Sequence, residues 1–125
     1  ITLSGPLGAG KTAFARGFIG AVGGGEEVPS PTFTLVQIYE APEATIYHFD
    51  LYRLEQPAEI FEIGIEDALA DGISLIEWPD RLGPYLPAER LDITLRQGAG
   101  ETQRVIELCA TRGWMRRLNE AELDD

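Results

Sequence analysis

The chain has 125 residues, a formal net charge of −11 and hydrophobic residues at 44% of its positions. This length and composition indicate a single folded domain over residues 1–125, and no apolar run reaches the ~18 residues that a membrane-spanning helix requires. The negative charge argues against strong direct binding of nucleic acid, because phosphate contacts depend on Lys and Arg. Cys109 is the only cysteine, so an internal disulfide is excluded and we expect a cytoplasmic protein.

The first predicted elements are a short strand, a glycine-rich loop and a helix. Residues 5–12 read GPLGAGKT and match G-x-x-x-x-G-K-[ST], the Walker A motif or P-loop. An apolar strand at residues 1–4 precedes the motif, and residues 12–19 follow it with apolar side chains at helical spacing. The glycines let backbone amides turn toward phosphate oxygens, Lys11 supplies charge to the β- and γ-phosphates, and the Thr12 hydroxyl is suited to Mg²⁺. Lys11 is also the only lysine in the chain.

A rigid loop follows the first helix. Pro29 and Pro31 hold the backbone extended and present Thr32. Thr32 is either a switch residue that senses the γ-phosphate and Mg²⁺ or an ordinary residue at the start of a strand. Local sequence does not separate the two interpretations.

Two strands at residues 33–40 and 45–50 are predicted to form an antiparallel hairpin, because only a short turn separates them. Asp50 ends the second strand, where it is either a carboxylate of the Walker B type or a turn residue. His48, the only histidine, is either a buried strand residue with a satisfied ring or a catalytic group.

Residues 56–71 are predicted to form two short helices, because Gly64 interrupts the apolar pattern. Their acidic residues form either a solvated face or a docking surface for a basic partner. A short apolar strand at residues 73–76 ends in Glu77, the second Walker B candidate. Trp78 follows at once, and it either stacks on a base or a partner's side chain or serves as a core or lid aromatic.

The last third of the chain is predicted to contain a loop between Pro84 and Pro87, a hairpin from strands at residues 90–96 and 102–109, and a helix at residues 114–123. Strands that alternate with helices near the P-loop, followed by hairpins, predict an α/β fold. We expect a P-loop NTPase-like mixed parallel and antiparallel sheet flanked by helices. Ligands of such sheets bind at the carboxyl ends of the parallel strands, and the candidate side chains converge there: Thr12, Thr32, Asp50 and Glu77.

In this order and spacing, the motifs resemble the TsaE family, bacterial P-loop ATPases needed to make threonylcarbamoyladenosine in tRNA. The resemblance is carried by the P-loop, by SPTF at residues 30–33, by HFDLYRL at residues 48–54 and by EWPD at residues 77–80. It covers about residues 1–109. Because the family has a segment upstream of the P-loop strand, we expect this chain to lack an N-terminal segment.

The resemblance implies ATP and Mg²⁺ as cofactors and TsaD and TsaB type proteins as partners. Thr12 and Glu77 would coordinate Mg²⁺, and Asp50 would support hydrolysis as a metal-water ligand or base. Thr32 would act as the switch, and Trp78 would lie near the nucleotide or a mobile partner contact. The ATP phosphates would lie on the P-loop residues, which are Leu7, Gly8, Ala9, Gly10, Lys11, Thr12 and Ala13.

The predicted function is therefore ATP hydrolysis that serves tRNA modification, and two other functions fit the same loop. A small-molecule kinase would need a substrate pocket and usually Arg-rich lid residues, which the sequence does not show clearly. A nucleotide-gated adaptor would bind ATP and dock without significant turnover. No arginine finger is obvious, so Arg53, Arg81 or a partner would have to supply one.

Overall fold

A mixed seven-stranded sheet forms the centre of the described part of the chain, which comprises residues 1–6, 10–23, 27–28, 35–62, 64–100 and 104–120 of a computed structural model. The strand order is β2-β3-β4-β5-β1-β6-β7. The strands are β1 Thr2–Ser4, β2 Glu27–Val28, β3 Val36–Glu40, β4 Thr45–Asp50, β5 Gly72–Glu77, β6 Leu91–Gln97 and β7 Arg104–Ala110.

The four central strands are parallel, and the outer strands are antiparallel to their neighbours. Strand β1 pairs with β5 on one side and with β6 on the other. In register, Asp50 of β4 lies opposite Glu77 of β5, and Leu3 of β1 also lies opposite Glu77. The predicted mixed sheet is therefore confirmed, and the carboxyl ends of β1, β4 and β5 meet at one edge.

Helix α1 spans Lys11–Ala21 and begins directly after Gly10, whose φ of +103° is a left-handed conformation that favours glycine. The two short helices predicted after β4 are a 3₁₀ helix at Pro57–Phe61 and α2 at Ile65–Asp71. Gly64 caps α2 with a φ of +88°, so the predicted interruption is also a left-handed position.

Several boundaries differ from the predicted ones, as three examples show. Of the strand expected at residues 33–40, β3 covers Val36–Glu40, Leu35 lies in a turn, and residues 33–34 lie outside the described residues. The loop expected around Pro84 belongs instead to a 3₁₀ segment at Pro79–Tyr85, because Pro79 presets a helical first turn while Gly83 breaks the geometry. Helix α3 spans Arg112–Glu120 and so begins before the predicted residue 114.

Apolar side chains pack on both faces of the sheet. One cluster joins the sheet to α1 and includes Leu3, Ala15 and Ile46. The other joins it to α2 and the 3₁₀ helices and includes Phe49 and Ile76. Because side chains of a strand alternate between faces, Phe49 points to the α2 side, whereas His48 and Asp50 point with Ile46 to the α1 side.

The described helices are short, and α1, at 11 residues, is the longest of them. None of the helices in the described ranges has the length and apolar character needed to cross a bilayer.

Candidate functional site

A cleft of about 550 Å³ opens where the carboxyl ends of β1, β4 and β5 face the start of α1. This is the edge at which ligands of parallel sheets bind. Its lining combines backbone at a helix N-terminus with charged and aromatic side chains. The lining residues are Pro6, Gly10, Lys11, Thr12, Ala13, Leu35, Asp50, Tyr52, Arg53, Glu77 and Trp78.

Most of the predicted site residues that can be placed lie in this one cleft. They are Gly10, Lys11, Thr12, Ala13, Asp50, Glu77 and Trp78. The remaining predicted residues, Leu7, Gly8, Ala9 and Thr32, lie outside the described residues. Their predicted roles therefore stay predictions.

Glu77 lies at the base of the cleft and is only 2% exposed. Its two carboxylate oxygens accept hydrogen bonds from the Thr12 hydroxyl at 3.1 and 3.3 Å. A carboxylate beside a threonine hydroxyl is an oxygen ligand pair of the kind that Mg²⁺ prefers. These residues therefore fit Mg²⁺ with few protein ligands.

Mg²⁺ held by Thr12 and Glu77 would keep coordination positions for further ligands. Within the described ranges, no group of three or more His, Cys, Asp or Glu side chains forms a metal cluster. Mg²⁺ usually keeps several waters and binds one or two carboxylates together with substrate phosphates. The site thus suits a cation that arrives with a nucleotide.

Asp50 lies beside Glu77 in the sheet but is exposed in the cleft. One of its oxygens, Oδ1, accepts a hydrogen bond from the Tyr52 amide at 3.2 Å. Asp50 therefore closes a turn and also faces the cleft, and its Walker B role stays a prediction. An oriented, solvent-facing carboxylate is suited to position water or accept a proton.

Lys11 begins α1 and is 5% exposed. Its ammonium donates hydrogen bonds to the carbonyls of Gly5 and, at 3.3 Å, of Pro6. Burial lowers the pKa of Lys11, and the carboxylates of Glu77, Asp50 and Asp80 oppose that shift. The lysine cation is thus held against its own loop.

Trp78 covers the Lys11 ammonium. Nζ of Lys11 lies 3.9 Å from the centre of the indole ring, a cation–π distance. Trp78 has a φ of +60°, and among the described residues it is the only non-glycine with a positive φ. Such strained backbone persists where the surroundings hold it, and here Tyr52 packs on the indole with ring centres 5.1 Å apart. Trp78 therefore lies at the cleft wall and packs against the core, and its predicted contact with a nucleotide or partner stays a prediction.

Sequence reasoning missed the side-chain contacts that join these residues. His48 Nε2 lies 2.6 Å from Oε2 of Glu77, and both groups are buried. Strand alternation was the available signal, since His48 and Asp50 are two residues apart on β4. Of the two candidate arginines, Arg53 lines the cleft, whereas Arg81 lies 5.9 Å from the Tyr52 ring.

Comparison with known proteins gives one consistent family. The model for "Threonylcarbamoyl adenosine biosynthesis protein TsaE" matches residues 1–106. The tRNA threonylcarbamoyladenosine biosynthesis protein TsaE of Rickettsia bellii (strain RML369-C) is 44% identical over 97 residues, which are 77% of this chain and 67% of that protein. The protein of the same description from Bacillus subtilis (strain 168) is 39% identical over 111 residues, covering 88% of this chain and 68% of its own length. The crystal structure of Bacillus subtilis YdiB superposes with a TM-score of 0.71 at 32% identity, covering 96% of this chain and 73% of that one.

Proposed function

The chain belongs to the TsaE family of tRNA threonylcarbamoyladenosine biosynthesis proteins, and from that premise we propose that it binds ATP with Mg²⁺ in the cleft and hydrolyses it. Hydrolysis would serve the tRNA modification that gives the family its name. The observation that carries the proposal is the hydrogen-bonded pair of Thr12 and Glu77 at the start of α1. That pair lies where a P-loop brings its phosphates.

Different residues of the cleft would bind the phosphates and the metal ion. The first amides of α1 have no partner within the helix and favour a phosphate oxygen. Lys11 would exchange its carbonyl contacts for β- and γ-phosphate oxygens, which are stronger, charged acceptors. Bound Mg²⁺ would neutralise charge on the phosphates, held by Thr12 and Glu77. Catalysis of this kind depends on positioning and electrostatics.

Asp50 is the proposed catalytic carboxylate. It is exposed in the cleft, and the Tyr52 amide fixes its direction. There it would orient the attacking water and accept its proton, a role typically worth about 10²–10⁴ in rate. Thr32 would act as the switch that senses the γ-phosphate, as the resemblance to the family implies.

Partners of the TsaD and TsaB type are part of the proposal. An arginine that reaches the transferring phosphoryl group from the same chain or from a partner typically raises the rate by about 10³–10⁵. Arg53 lines the cleft, so it or a partner arginine would supply this charge. We therefore expect slow turnover by the isolated protein and faster turnover with the pair. The net charge of −11 fits a protein that leaves RNA binding to its partners.

The second candidate function is a nucleotide-gated adaptor, and the position of Lys11 favours it. The ammonium contacts its own loop and the Trp78 ring rather than open space. A protein that leaves this state only when it docks would bind ATP and turn it over negligibly alone. A small-molecule kinase has less support, since Arg53 is the one arginine among the described residues that line the cleft.

The deciding experiment is ATP turnover by the protein alone and with a TsaD–TsaB pair, in wild type and in Asp50→Ala. A slow rate that rises on adding the pair and disappears in the variant supports a partner-activated ATPase. Nucleotide binding without turnover in either condition supports the adaptor. Phosphorylation of an added small-molecule acceptor, with no release of free phosphate, would contradict both and indicate a kinase.

A further inference from the structure

His48 is a buried polar residue that contacts Glu77 at the base of the cleft. It lies within β4, is 4% exposed, and places Nε2 2.6 Å from Oε2 of Glu77. Strand register explains the contact, because β4 and β5 are parallel neighbours in which His48 pairs with Leu75 and Asp50 with Glu77. His48 thus reaches Glu77 from the amino-terminal side, on the same face as Asp50.

Nε2 of His48 and Oε2 of Glu77 lie at hydrogen-bond distance. A carboxylate that ligates a metal is ionised and only accepts hydrogen bonds, so in that role Glu77 would accept a hydrogen bond from Nε2 of His48. Buried carboxylates need such donors, because their desolvation is otherwise costly. Thr12 is the other donor to Glu77, and it approaches Oε1 more closely than Oε2. His48 therefore holds one oxygen while Thr12 lies nearer the other.

We propose that His48 is a positioning residue, which fixes the Glu77 carboxylate so that it and the Thr12 hydroxyl form a ready-made site for the divalent cation of a bound nucleotide. The inference rests on the proposed function, because it needs a metal–nucleotide complex in the cleft. His48 does not itself touch the reacting atoms. It acts through Glu77, in the way that hydrogen-bond partners of metal ligands set ligand orientation.

Two amide variants test whether the contact between position 48 and Glu77 matters. The amide nitrogen of Gln lies near the position of Nε2 of histidine, whereas that of Asn ends near Nδ1 and stops short of Glu77. His48→Gln keeps a donor for Glu77, and His48→Asn keeps a polar amide on a smaller side chain without that contact. Ile46→Val is the matched control, since Ile46 is buried on the same strand and face and belongs to the apolar cluster.

The measurement is the affinity for ADP with Mg²⁺ and with EDTA, by calorimetry, together with Mn²⁺ binding to the ADP complex by electron paramagnetic resonance. His48→Asn should weaken metal-dependent binding by about tenfold or more, as loss of an outer partner typically does. Its affinity in EDTA should match that of wild type. His48→Gln should recover most of the metal dependence, and Ile46→Val should change neither value.

The outcomes separate the two proposals. If wild type binds ADP with a strong Mg²⁺ dependence and His48→Asn keeps it in full, His48 does not position Glu77 and only this inference fails. Equal losses with Mg²⁺ and with EDTA would also overturn it, because they indicate a general packing role. If wild type binds no nucleotide, or binds it without regard to Mg²⁺, the proposed function fails and this inference fails with it.

Discussion

Asp50 and Glu77 are direct register partners at the ends of adjacent parallel strands, yet Glu77 is 2% exposed and Asp50 faces solvent. Two carboxylates at one strand edge are thus given different surroundings. Within the described residues, Glu77 is hydrogen-bonded to Thr12 and His48, whereas Asp50 accepts a bond from the Tyr52 amide. The buried carboxylate is suited to a cation and the exposed one to water.

Asp50→Asn should separate catalysis from binding. The amide keeps an acceptor for the Tyr52 amide but cannot take up a proton, so ATP turnover should fall by about 10²–10⁴ while affinity for Mg²⁺-ADP stays near wild type. Steady-state phosphate release and calorimetry measure the two quantities. Asp71→Asn on the exposed end of α2 is the control. Unchanged turnover in Asp50→Asn would remove Asp50 from the mechanism.

Glu77→Gln should act on the metal instead. Loss of the charged oxygen should weaken the apparent affinity for Mg²⁺ in the presence of ADP by more than about tenfold. The affinity for ADP in EDTA should change little. Titration of Mg²⁺ at fixed ADP measures the change, and Glu66→Gln on the exposed first turn of α2 serves as the control. The metal assignment does not survive if Glu77→Gln keeps the wild-type Mg²⁺ titration.

Nucleotide binding should alter the fluorescence of Trp78. Lys11 lies 3.9 Å from this ring and must leave the carbonyls of Gly5 and Pro6 to reach phosphates. In Trp114→Phe, which leaves Trp78 as the single tryptophan, Mg²⁺-ATP should produce a saturable change in emission. The same titration in Lys11→Ala with Trp114→Phe should be flat. A flat titration with Lys11 present, at nucleotide concentrations shown by calorimetry to saturate, would contradict this coupling.

Gly72→Ala should destabilise the fold, because an added Cβ would lie 2.6 Å from the carbonyl oxygen of Thr45 and 2.6 Å from the Tyr47 ring. Overpacking of this kind typically costs about 1–3 kcal/mol. Gly17→Ala is the opposite case, since the site is open within α1 and alanine favours helix by about 0.5–1 kcal/mol. Urea unfolding of both variants should therefore give shifts of opposite sign.

Glu89 should make the attachment of α3 dependent on pH. Its hydrogen bond from the Thr111 hydroxyl, followed by bonds from the Gly113 and Trp114 amides, lowers the pKa of Glu89 below its usual 4.5. A lowered pKa in the folded state stabilises that state above 4.5, and the contribution is lost as pH falls through the folded value. The protection of α3 amides against exchange, taken relative to their intrinsic exchange rate at each pH, should thus fall in acid.

Glu89→Gln is the matching variant for the α3 prediction. It keeps the shape of the side chain that contacts Gly113 but removes the titrating proton, so the acid-induced change in α3 exchange should flatten. An unaltered acid response in Glu89→Gln would assign the effect to other carboxylates.

Local patterns predicted the elements of the site well, because strand and helix signals lie within a few residues of each other. The strand at residues 45–50 has the predicted ends, and Glu77 closes β5 as expected. The strand and the helix that were predicted to flank the P-loop are also confirmed, one before and one after residues 7–9. These features depend on the period of apolar residues and on glycine positions.

Contacts between distant segments were beyond local patterns. The order of strands places β1 next to β5, more than 65 residues away, and this brings Glu77 to Thr12. The left-handed backbone of Trp78 also has no local signature, since a tryptophan adopts it only under tertiary restraint. The 3₁₀ segment at Pro79–Tyr85 extends into the loop that was predicted between Pro84 and Pro87.

Strand β1 has only three residues, but it joins the two halves of the sheet, β2 to β5 on one side and β6 with β7 on the other. The loop that leaves β1 is the one that would hold phosphate. Separation of either half would therefore dismantle the binding site, so a bound ligand opposes both openings through mass action. If the proposed nucleotide binds there, occupancy of a single loop would raise the resistance of opposite edges of the molecule to proteases.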